Sequence, residues 1–359
     1  MNTKVSVVVP AYNVGQHLDG CLKSIFKQKF KDFEVIVIND CSTDNTDEII
    51  TKYKNKYDNL KYIKNEVNLG VSASRNKGIL ECRGDYILFI DSDDILEPNM
   101  ISDLYNTANG MDMAMSGYFI DFADGNIKKV NLNLKEDKIY SGNEILKELL
   151  TQKNGVTGHS WNKMIRRKIL IDNNIRYPED MKIYEDITFF TSLYPYCKQI
   201  NYINNNLYHY IERKNSAIRK VDDRVVYDTK ECIDRVKDII LSKNLMIDLE
   251  SEFASFYSRM VSIAIHKLYT YSNEEKEKLE YLSKFMKNEV FEVEKYNNIL
   301  KSDYIYDKFH KMMLESYKYS HGDTKKFDYK YKKLYNNNEK LLKLYKKIRP
   351  IIKMIKSKN

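Results

Sequence analysis

Four strand-like segments alternate with helix-like segments in the first hundred residues, and this alternation limits the fold more than any other feature. The apolar runs at 4–9, 33–38, 60–63 and 86–90 are rich in Val, Ile, Phe and Tyr, which is typical of buried strands. Between them, apolar residues recur at three- and four-residue spacing, as in 15–30, which predicts helices. This order favours an α/β fold, a mainly parallel sheet with helices on both faces.

Polar residues follow each predicted strand, at 10–13, 39–44, 65–75 and 91–94. In open parallel sheets ligands bind outside the carboxyl ends of the strands, so we expect these four segments to share one rim. Neither GxGxxG after the first strand nor GxxxxGK[ST] anywhere is present, which argues against a dinucleotide site or a P-loop. A metal ion is the natural substitute for a glycine-rich loop in holding phosphates.

The fourth strand ends in a cluster of carboxylates, Asp91, Asp93 and Asp94. Like charges this close repel one another and are costly to desolvate, so a cation is expected to compensate them. Magnesium and manganese, which prefer oxygen ligands, suit such a cluster. Asp94 could instead cap a helix ahead of Pro98. From this stretch alone both interpretations stay open.

Composition is typical of a soluble globular protein that is long enough for two or more domains. The 359 residues are 43% hydrophobic and 31% charged, and no apolar run approaches the roughly 20 residues of a membrane span. We also identify no signal peptide. The five cysteines are far apart and form no CxxC pair, which indicates reduced thiols. We therefore expect a cytoplasmic protein.

Six motifs occur in one order: VSVVVPAYN, VINDCSTDNT, NLGVSASRNKG, FIDSDD, SWNKMIRR and YEDITFF. Together they make roughly residues 1–220 resemble the family 2 glycosyltransferases, which have the GT-A fold. The resemblance implies a Rossmann-like domain that binds a nucleotide sugar. Two positions depart from the family pattern: Asn39 replaces the usual first acid of a pair, and Cys41 stands where glycine or asparagine is common.

The resemblance also implies a UDP-sugar site along the predicted rim. Tyr12 would lie by the base, Asp40 would accept a hydrogen bond from uracil, and Arg75 would stand near the base and phosphates. In the DXD pair, Asp93 would hold Mn²⁺ or Mg²⁺, and Asp91 would approach the ribose or the hydrated ion. The predicted donor residues are Pro10, Tyr12, Asn13, Asp40, Arg75, Asp91 and Ser92.

The catalytic residues are predicted from YEDITFF, in which the resemblance makes Asp186 the catalytic base and Glu185 its acceptor-side neighbour. The alternative is that both are N-terminal helix acids favoured by the helix dipole. Trp161, the chain's single tryptophan, is predicted near the acceptor, where it could stack on a sugar. A lone tryptophan is, however, more often a core residue.

Two further residues are candidates for the donor phosphates. His209 could complete the metal sphere or contact the diphosphate, and packing or surface exposure is the alternative for an isolated histidine. Arg213 lies in a segment that suits a phosphate-facing loop, which would exclude water when the donor binds.

Four regions are predicted: 1–125 for donor binding, 126–224 for acceptor binding, 225–320 as a helical appendage that could mediate oligomerisation, and 321–359 as a basic tail. Residues 325–359 contain thirteen Lys or Arg against two acids, a net charge of +11. Apolar residues recur there at helical spacing, which predicts a basic amphipathic helix on the inner, anionic face of the plasma membrane. A solvated tail is the alternative. We expect no nucleic-acid partner, because no base-reading motif accompanies the charge.

The predicted function is an inverting, metal-dependent glycosyltransferase that moves a sugar from a UDP-sugar to a hydroxyl of a glycan or lipid-linked saccharide, in cell-surface polysaccharide or glycoconjugate synthesis. A nucleotidyltransferase is one alternative, but it normally needs a basic phosphate loop, and PAYN after the first strand contains no Lys or Arg. A catalytically silent carbohydrate-binding protein is the other, and it would not require both Asp93 and Asp186.

Overall fold

The computed structural model describes residues 3–213, 224–271, 274–290, 292–293 and 308–338. Contacts between residues divide the chain into two compact units. The first comprises Met1–Ala217 with Asp234–Ile247, and the second comprises Ile218–Ile233 with Asp248–Asn359. The four regions predicted from the sequence are functional divisions, which this division by contacts does not test.

The first unit is built on a nine-stranded sheet, counted over the described residues. Its first half consists of four strands in the order β3-β2-β1-β4, every neighbouring pair parallel, which confirms the α/β prediction. These strands are β1 Val5–Ala11, β2 Phe33–Asn39, β3 Leu60–Lys64 and β4 Tyr86–Phe89.

The second half of the sheet is mixed. Its strands are β5 Ile95–Leu96, β6 Met113–Asp121, β7 Ile127–Val130, β8 Lys163–Arg166 and β9 Ile200–Ile211. β8 pairs antiparallel with both β4 and β6, whereas β9 runs parallel to β6 and antiparallel to β5. The parallel order predicted from the sequence therefore extends through β4, and antiparallel pairs complete the sheet.

Helices cover the two faces of the parallel half, which accounts for the burial of every residue of β1, apolar except for Ser6. Val7 packs in one core cluster with Leu18 and Leu22. On the other face, a Cβ added to Gly78 would lie 2.3 Å from Cγ1 of Val8, so glycine allows a close approach of helix and strand. The helices of this unit are α1 Gly15–Phe26, α2 Thr46–Lys54, α3 Val71–Glu81, α4 Met100–Ala108, α5 Gly142–Thr151, α6 Arg167–Asp172 and α7 Glu185–Leu193.

Beyond the sheet the described residues are helical, as predicted. The elements are α8 Arg224–Ser242, α9 Met246–Tyr271, α10 Glu275–Phe285, a π-helical turn Met286–Val290, the helix Lys308–Ser320 and a helix over 324–338. Phe327 and Tyr331 are fully buried, so residues 324–338 form part of a packed helical core. Among the described helices none combines the length and apolar character needed to cross a membrane.

Candidate active site

The strand order β3-β2-β1-β4 reverses between β1 and β4, and the candidate site lies at the carboxyl ends of these two strands. The pairing of these strands ends when Val8 O accepts a hydrogen bond of 2.9 Å from Ile90 N, while β1 continues beside β2 to Ala11. Pro10 extends β1 past the predicted end of this strand. Successive residues of a strand turn their backbone N–H groups to opposite sides, and Pro10 faces the side of β4. Because β4 no longer pairs with β1 at this position, the missing N–H of Pro10 removes no hydrogen bond from the sheet. This is the switch point at which α/β sheets bind ligands.

The loops after β1 and β2 are joined to each other at the rim of this site. Asn13, which has a φ of 50°, donates its N–H to Ser42 Oγ at 3.0 Å and accepts a hydrogen bond of 2.8 Å from Thr43 N on its side-chain oxygen. Tyr12 remains 48% exposed. The structure thus leaves an aromatic ring open at the place predicted for the nucleotide base.

Asp40 is buried and organises the loop that precedes α3. Its Oδ1 accepts hydrogen bonds from Asn65 Nδ2 at 2.8 Å and Leu69 N at 2.9 Å, and its Oδ2 accepts one from Gly70 N at 2.7 Å. A carboxylate can accept about four hydrogen bonds, so a further donor can still be accommodated. The sequence did not predict this supporting role.

The three carboxylates after β4 have different environments. Asp94 is 1% exposed and accepts hydrogen bonds from Tyr208 Oη at 2.6 Å and Ile211 N at 2.8 Å. Burial, and next the charge of Asp91, raise the pKa of Asp94 to about 8. Asn99, not Asp94, occupies the N-cap position of α4. The helix-cap alternative for Asp94 therefore does not hold.

Asp91 and Asp93 stay partly exposed, whereas Ser92 between them is buried. Each of the two carboxylates faces an arginine. Asp91 Oδ1 accepts a hydrogen bond of 3.0 Å from Arg75 Nη2, and Asp93 forms an ion pair with Arg213. Arg213 was predicted to face the donor diphosphate. It is thus within reach of the predicted metal-binding carboxylate.

Arg75 connects the acidic end of β4 with the start of α7. Its second terminal nitrogen, Nη1, lies 3.2 Å from Glu185 Oε1, and the guanidinium stacks over the Tyr177 ring, 5.2 Å from the centroid. The side chain is buried, and the charges of Asp91 and Glu185 help hold the pKa of Arg75 above its ordinary value. The predicted donor residue Asp91 and the predicted acceptor-side residue Glu185 therefore meet at one buried cation.

Glu185 and Asp186 open α7 immediately after Tyr184, whose φ of 66° turns the chain into the helix. Burial, and next the charge of Asp186, raise the pKa of Glu185 to about 7. Burial also raises the pKa of Asp186, and the nearby Arg75 opposes this increase. Asp186 Oδ1 accepts a hydrogen bond of 2.7 Å from Ile187 N. A buried carboxylate with a raised pKa is suited to accepting a proton.

Two residues that the sequence did not single out lie against α7. A Cβ on Gly158 would be 3.0 Å from both Cγ and Oδ2 of Asp186. Lys163, at the start of β8, is buried, and its ammonium lies 4.8 Å from the centroid of the Phe190 ring. Lys163 belongs to the SWNKMIRR motif, so the motif was the available signal, but nothing local predicts the helix it faces.

Trp161 has the surroundings of a core residue. It is 3% exposed, and its ring stacks on Tyr208 and His159 with centroid separations of 4.4 and 4.8 Å. Tyr118 meets it edge-on at 4.7 Å. Because two near-parallel rings stack on this buried tryptophan and a third meets it edge-on, the geometry favours the core alternative over a sugar platform.

His209 makes contacts other than those predicted for a metal ligand. Nδ1 lies 3.1 Å from both carboxylate oxygens of Asp121, and Nε2 lies 2.9 Å from Glu97 Oε1. Both ring nitrogens are therefore engaged with carboxylates. Within the described ranges no group of three or more His, Cys, Asp or Glu side chains could hold a metal ion. The oxygens of Asp91 and Asp93 suit a hard cation whose remaining ligands are water and substrate.

The fold of this chain is similar to that of several solved structures. Crystal structures of S. aureus TarS residues 1–349 superpose with a TM-score of 0.70 for the complex with UDP-GlcNAc, at 23% identity, covering 93% of this chain and 92% of that one. This likeness shows a GT-A fold.

The chain belongs to glycosyl transferase family 2, whose family model matches residues 6–173, and it is a glycosyltransferase. It is 31% identical over 288 residues to the cholesterol galactosyltransferase of Borreliella burgdorferi, covering 77% of this chain and 79% of that protein. It is 32% identical over 219 residues to the poly(ribitol-phosphate) beta-N-acetylglucosaminyltransferase TarS of Staphylococcus aureus, covering 59% of this chain and 36% of TarS.

Proposed function

We propose that the protein transfers a sugar from a UDP-sugar to an acceptor hydroxyl with inversion at the anomeric carbon. The observation that carries this proposal is the single buried guanidinium of Arg75, which hydrogen-bonds both Asp91 and Glu185. It holds the donor-side Asp91 next to Glu185, the immediate neighbour of the candidate base Asp186. Asp186 removes the proton of the acceptor hydroxyl while that oxygen attacks the face opposite the diphosphate, and a single displacement inverts the centre.

A UDP-sugar is the proposed donor. Solved structures of the similar TarS contain UDP and UDP-GlcNAc. In this chain the exposed ring of Tyr12 offers a face to the base. Asp40 fixes the loop of Leu69 and Gly70 at the neighbouring rim. We propose that Pro10 and Asn13 also line the site of the nucleotide base. We propose further that Arg213 leaves Asp93 and binds the diphosphate when the donor is present.

Mn²⁺ or Mg²⁺ is the proposed cofactor, held by Asp93 and Asp91. Both residues present partly exposed carboxylates at the carboxyl end of β4, and such oxygens fit a hard divalent ion. When bound there, the ion would neutralise negative charge on the departing nucleotide diphosphate. Asp94 is committed to Tyr208 and Ile211, so we do not include it among the ligands.

The proposed acceptor is a hydroxyl of a glycan or of a lipid-linked saccharide in the synthesis of cell-surface glycoconjugates. The two relatives carry names that specify cholesterol and poly(ribitol-phosphate). Both molecules bear hydroxyl groups, which supports the acceptor chemistry without fixing the acceptor itself.

The direct test is incubation with a panel of UDP-, GDP- and dTDP-sugars in the presence of manganese, followed by measurement of the released nucleotide. We expect slow release of UDP from one UDP-sugar, accelerated when an acceptor is added. The anomeric configuration of the product, measured by NMR, should be opposite to that of the donor. Retention of configuration would contradict the role of Asp186, and release from GDP- or dTDP-sugars alone would contradict the donor.

Membrane association through the basic tail stays part of the proposal. Residues 339–359, including the predicted amphipathic repeat from Leu341 to Ile355, lie outside the described residues. The start of the predicted segment, 325–338, lies in a described helix with the buried residues Phe327 and Tyr331. We therefore limit the proposed peripheral anchor to residues 339–359, which would hold the enzyme at the cytoplasmic face of an anionic membrane.

A further inference from the structure

We propose that Lys163 is a positioning residue for Asp186, with an ammonium group that orients this carboxylate and stabilises its negative charge inside the protein. The inference rests on the proposed role of Asp186 as the base. It concerns a side chain that would not itself touch the acceptor or the donor.

The first observation is the burial of the Lys163 ammonium among neutral acceptors. Lys163 is 1% exposed, and Nζ donates hydrogen bonds to His159 O at 2.5 Å and Asn162 Oδ1 at 2.8 Å. These bonds satisfy two of its three N–H groups but bring no negative charge. A buried ammonium without an anion nearby is very costly. The fold must therefore compensate it from another element.

The second observation places that element at the start of α7. Nζ of Lys163 lies 4.8 Å from the centroid of Phe190, and Phe190 follows Asp186 by four residues on this helix. Residues four apart lie on one helix face. The ammonium therefore packs beside the turn that carries Asp186.

The third observation is that the segment before Lys163 also reaches Asp186. Gly158 is so close that an added Cβ would stand 3.0 Å from Cγ and Oδ2 of Asp186. The hydrogen bond from Lys163 to the carbonyl of His159 fixes the residue next to Gly158. Lys163 thus acts on the base in two ways: through its charge and by holding the segment that packs against the carboxylate.

The charges agree with this geometry. Burial lowers the pKa of Lys163 to about 7, and the charge of Asp186 acts against this decrease. For Asp186, burial raises the pKa, while Arg75 and Lys163 lower it. Each charge therefore favours the charged form of the other. A base that must be ionised near neutral pH benefits from this arrangement.

The test compares Lys163→Met with a matched variant, Lys168→Met. Lys168 is five residues away, its side chain is 77% exposed, and it pairs with Asp172, so we expect its loss to leave activity unchanged. In Lys163→Met, the rising limb of kcat against pH should move upward by roughly one unit or more, because an opposite charge near a carboxylate is removed. The donor KM should change less than twofold.

Other charges around Asp186 remain in this variant: Glu185 on the same helix, Arg75 on α3 and Asp91 after β4. Recovery of kcat at high pH therefore reports the loss of Lys163 itself. If Lys163 had a purely structural role, Lys163→Met would lower kcat by the same factor at every pH. That result would overturn the inference. If Lys163→Met does not unfold cooperatively in a thermal melt, Lys163→Gln replaces it, because a glutamine amide can still donate to the His159 carbonyl.

A double mutant separates this inference from the proposed function. In an Asp186→Asn background, Lys163→Met should cause no further decrease in kcat, because the carboxylate on which it acts is gone. A normal pH profile in Lys163→Met, with Asp186→Asn strongly impaired, would overturn the role of Lys163 and leave the base intact. A normal kcat in Asp186→Asn would instead contradict the proposed function.

Discussion

Arg75 Nη1 donates a hydrogen bond of 3.2 Å to Glu185 Oε1, joining residues 110 positions apart in the sequence. The other terminal nitrogen of the same guanidinium binds Asp91 at 3.0 Å. Because the side chain is buried, movement of one carboxylate is resisted through a rigid, planar cation. The end of β4 and the start of α7 are thereby held in one arrangement.

Glu185→Gln should change how stability depends on pH. The pKa of Glu185 is raised to about 7 from an ordinary value of 4.5. Its protonated form is therefore favoured by folding, a contribution fully present below pH 4.5 and lost as the pH rises through about 7. Glutamine does not titrate and can still accept from Arg75. The thermal midpoint of the variant should therefore increase relative to the wild type between pH 4.5 and 7.

Glu81→Gln provides a control of opposite sign for that measurement. The hydrogen bond and charge of Lys61 hold the pKa of the partly exposed Glu81 below its ordinary value. This contribution is present at neutral pH and decreases as the pH falls, so the substitution should be slightly destabilising at pH 7. If the thermal midpoints of wild type and Glu185→Gln change with pH in the same way across this range, the pKa of Glu185 is not raised.

Asp93→Ala should abolish transfer and remove the metal dependence of UDP binding, since Asp93 is the proposed principal ligand. Isothermal titration of UDP with and without Mn²⁺ measures this. The matched control is Asp85→Ala, because Asp85 immediately precedes the opposite end of β4 and makes an exposed 3.5 Å ion pair with Lys4. Two results together would contradict a metal site at Asp93: wild-type protein binds UDP equally well with and without divalent ions, and Asp93→Ala transfers the sugar normally.

Cys41→Gly should stabilise the protein. Cys41 has a φ of 62°, a left-handed conformation that costs most L-residues about 1–2 kcal/mol and glycine almost nothing. After the greater chain entropy of glycine is subtracted, we expect a gain of up to about 1 kcal/mol in the free energy of unfolding. Cys41→Ala is the control, because it loses the same thiol and keeps the Cβ. If the two variants are equally stable, backbone strain at Cys41 is negligible.

The features of the fold that depend on local sequence pattern could be predicted from the sequence. The alternation of apolar runs gave the parallel half of the sheet, and the polar residues after β1 to β4 gave the rim. In these cases a few neighbouring residues determine the structure.

The sequence could not predict what depends on the pairing of distant strands. β5 pairs with β9 so that Ile95 lies opposite His209, and this register brings His209 to Glu97 and buries Asp94 beneath Tyr208. The sequence did not predict that Asp94 is buried while Asp91 and Asp93 stay partly exposed. Trp161 likewise became a core residue because aromatic side chains from β9 stack on it.

Deletion of residues 339–359 should abolish salt-sensitive binding to anionic liposomes and spare hydrolysis of the donor. Each Lys or Arg near an anionic surface contributes about 1 kcal/mol of binding. Deletion from residue 325 is unsuitable, because it removes the buried Phe327 and Tyr331. Co-sedimentation with phosphatidylglycerol vesicles at low and high salt is the measurement. Binding that persists after the deletion, or that is absent in the intact protein, would exclude the tail as an anchor.

The kinetics of Asp186→Asn test the central claim most directly. A base acts in the transition state, so the account predicts that kcat falls roughly a hundredfold or more while the donor KM stays nearly unchanged. Asp40→Ala is the contrasting variant: because Asp40 fixes the rim loop through Leu69 and Gly70, its main defect should be a raised donor KM. If Asp186→Asn instead raises the donor KM and retains kcat at saturating donor, Asp186 is not the base.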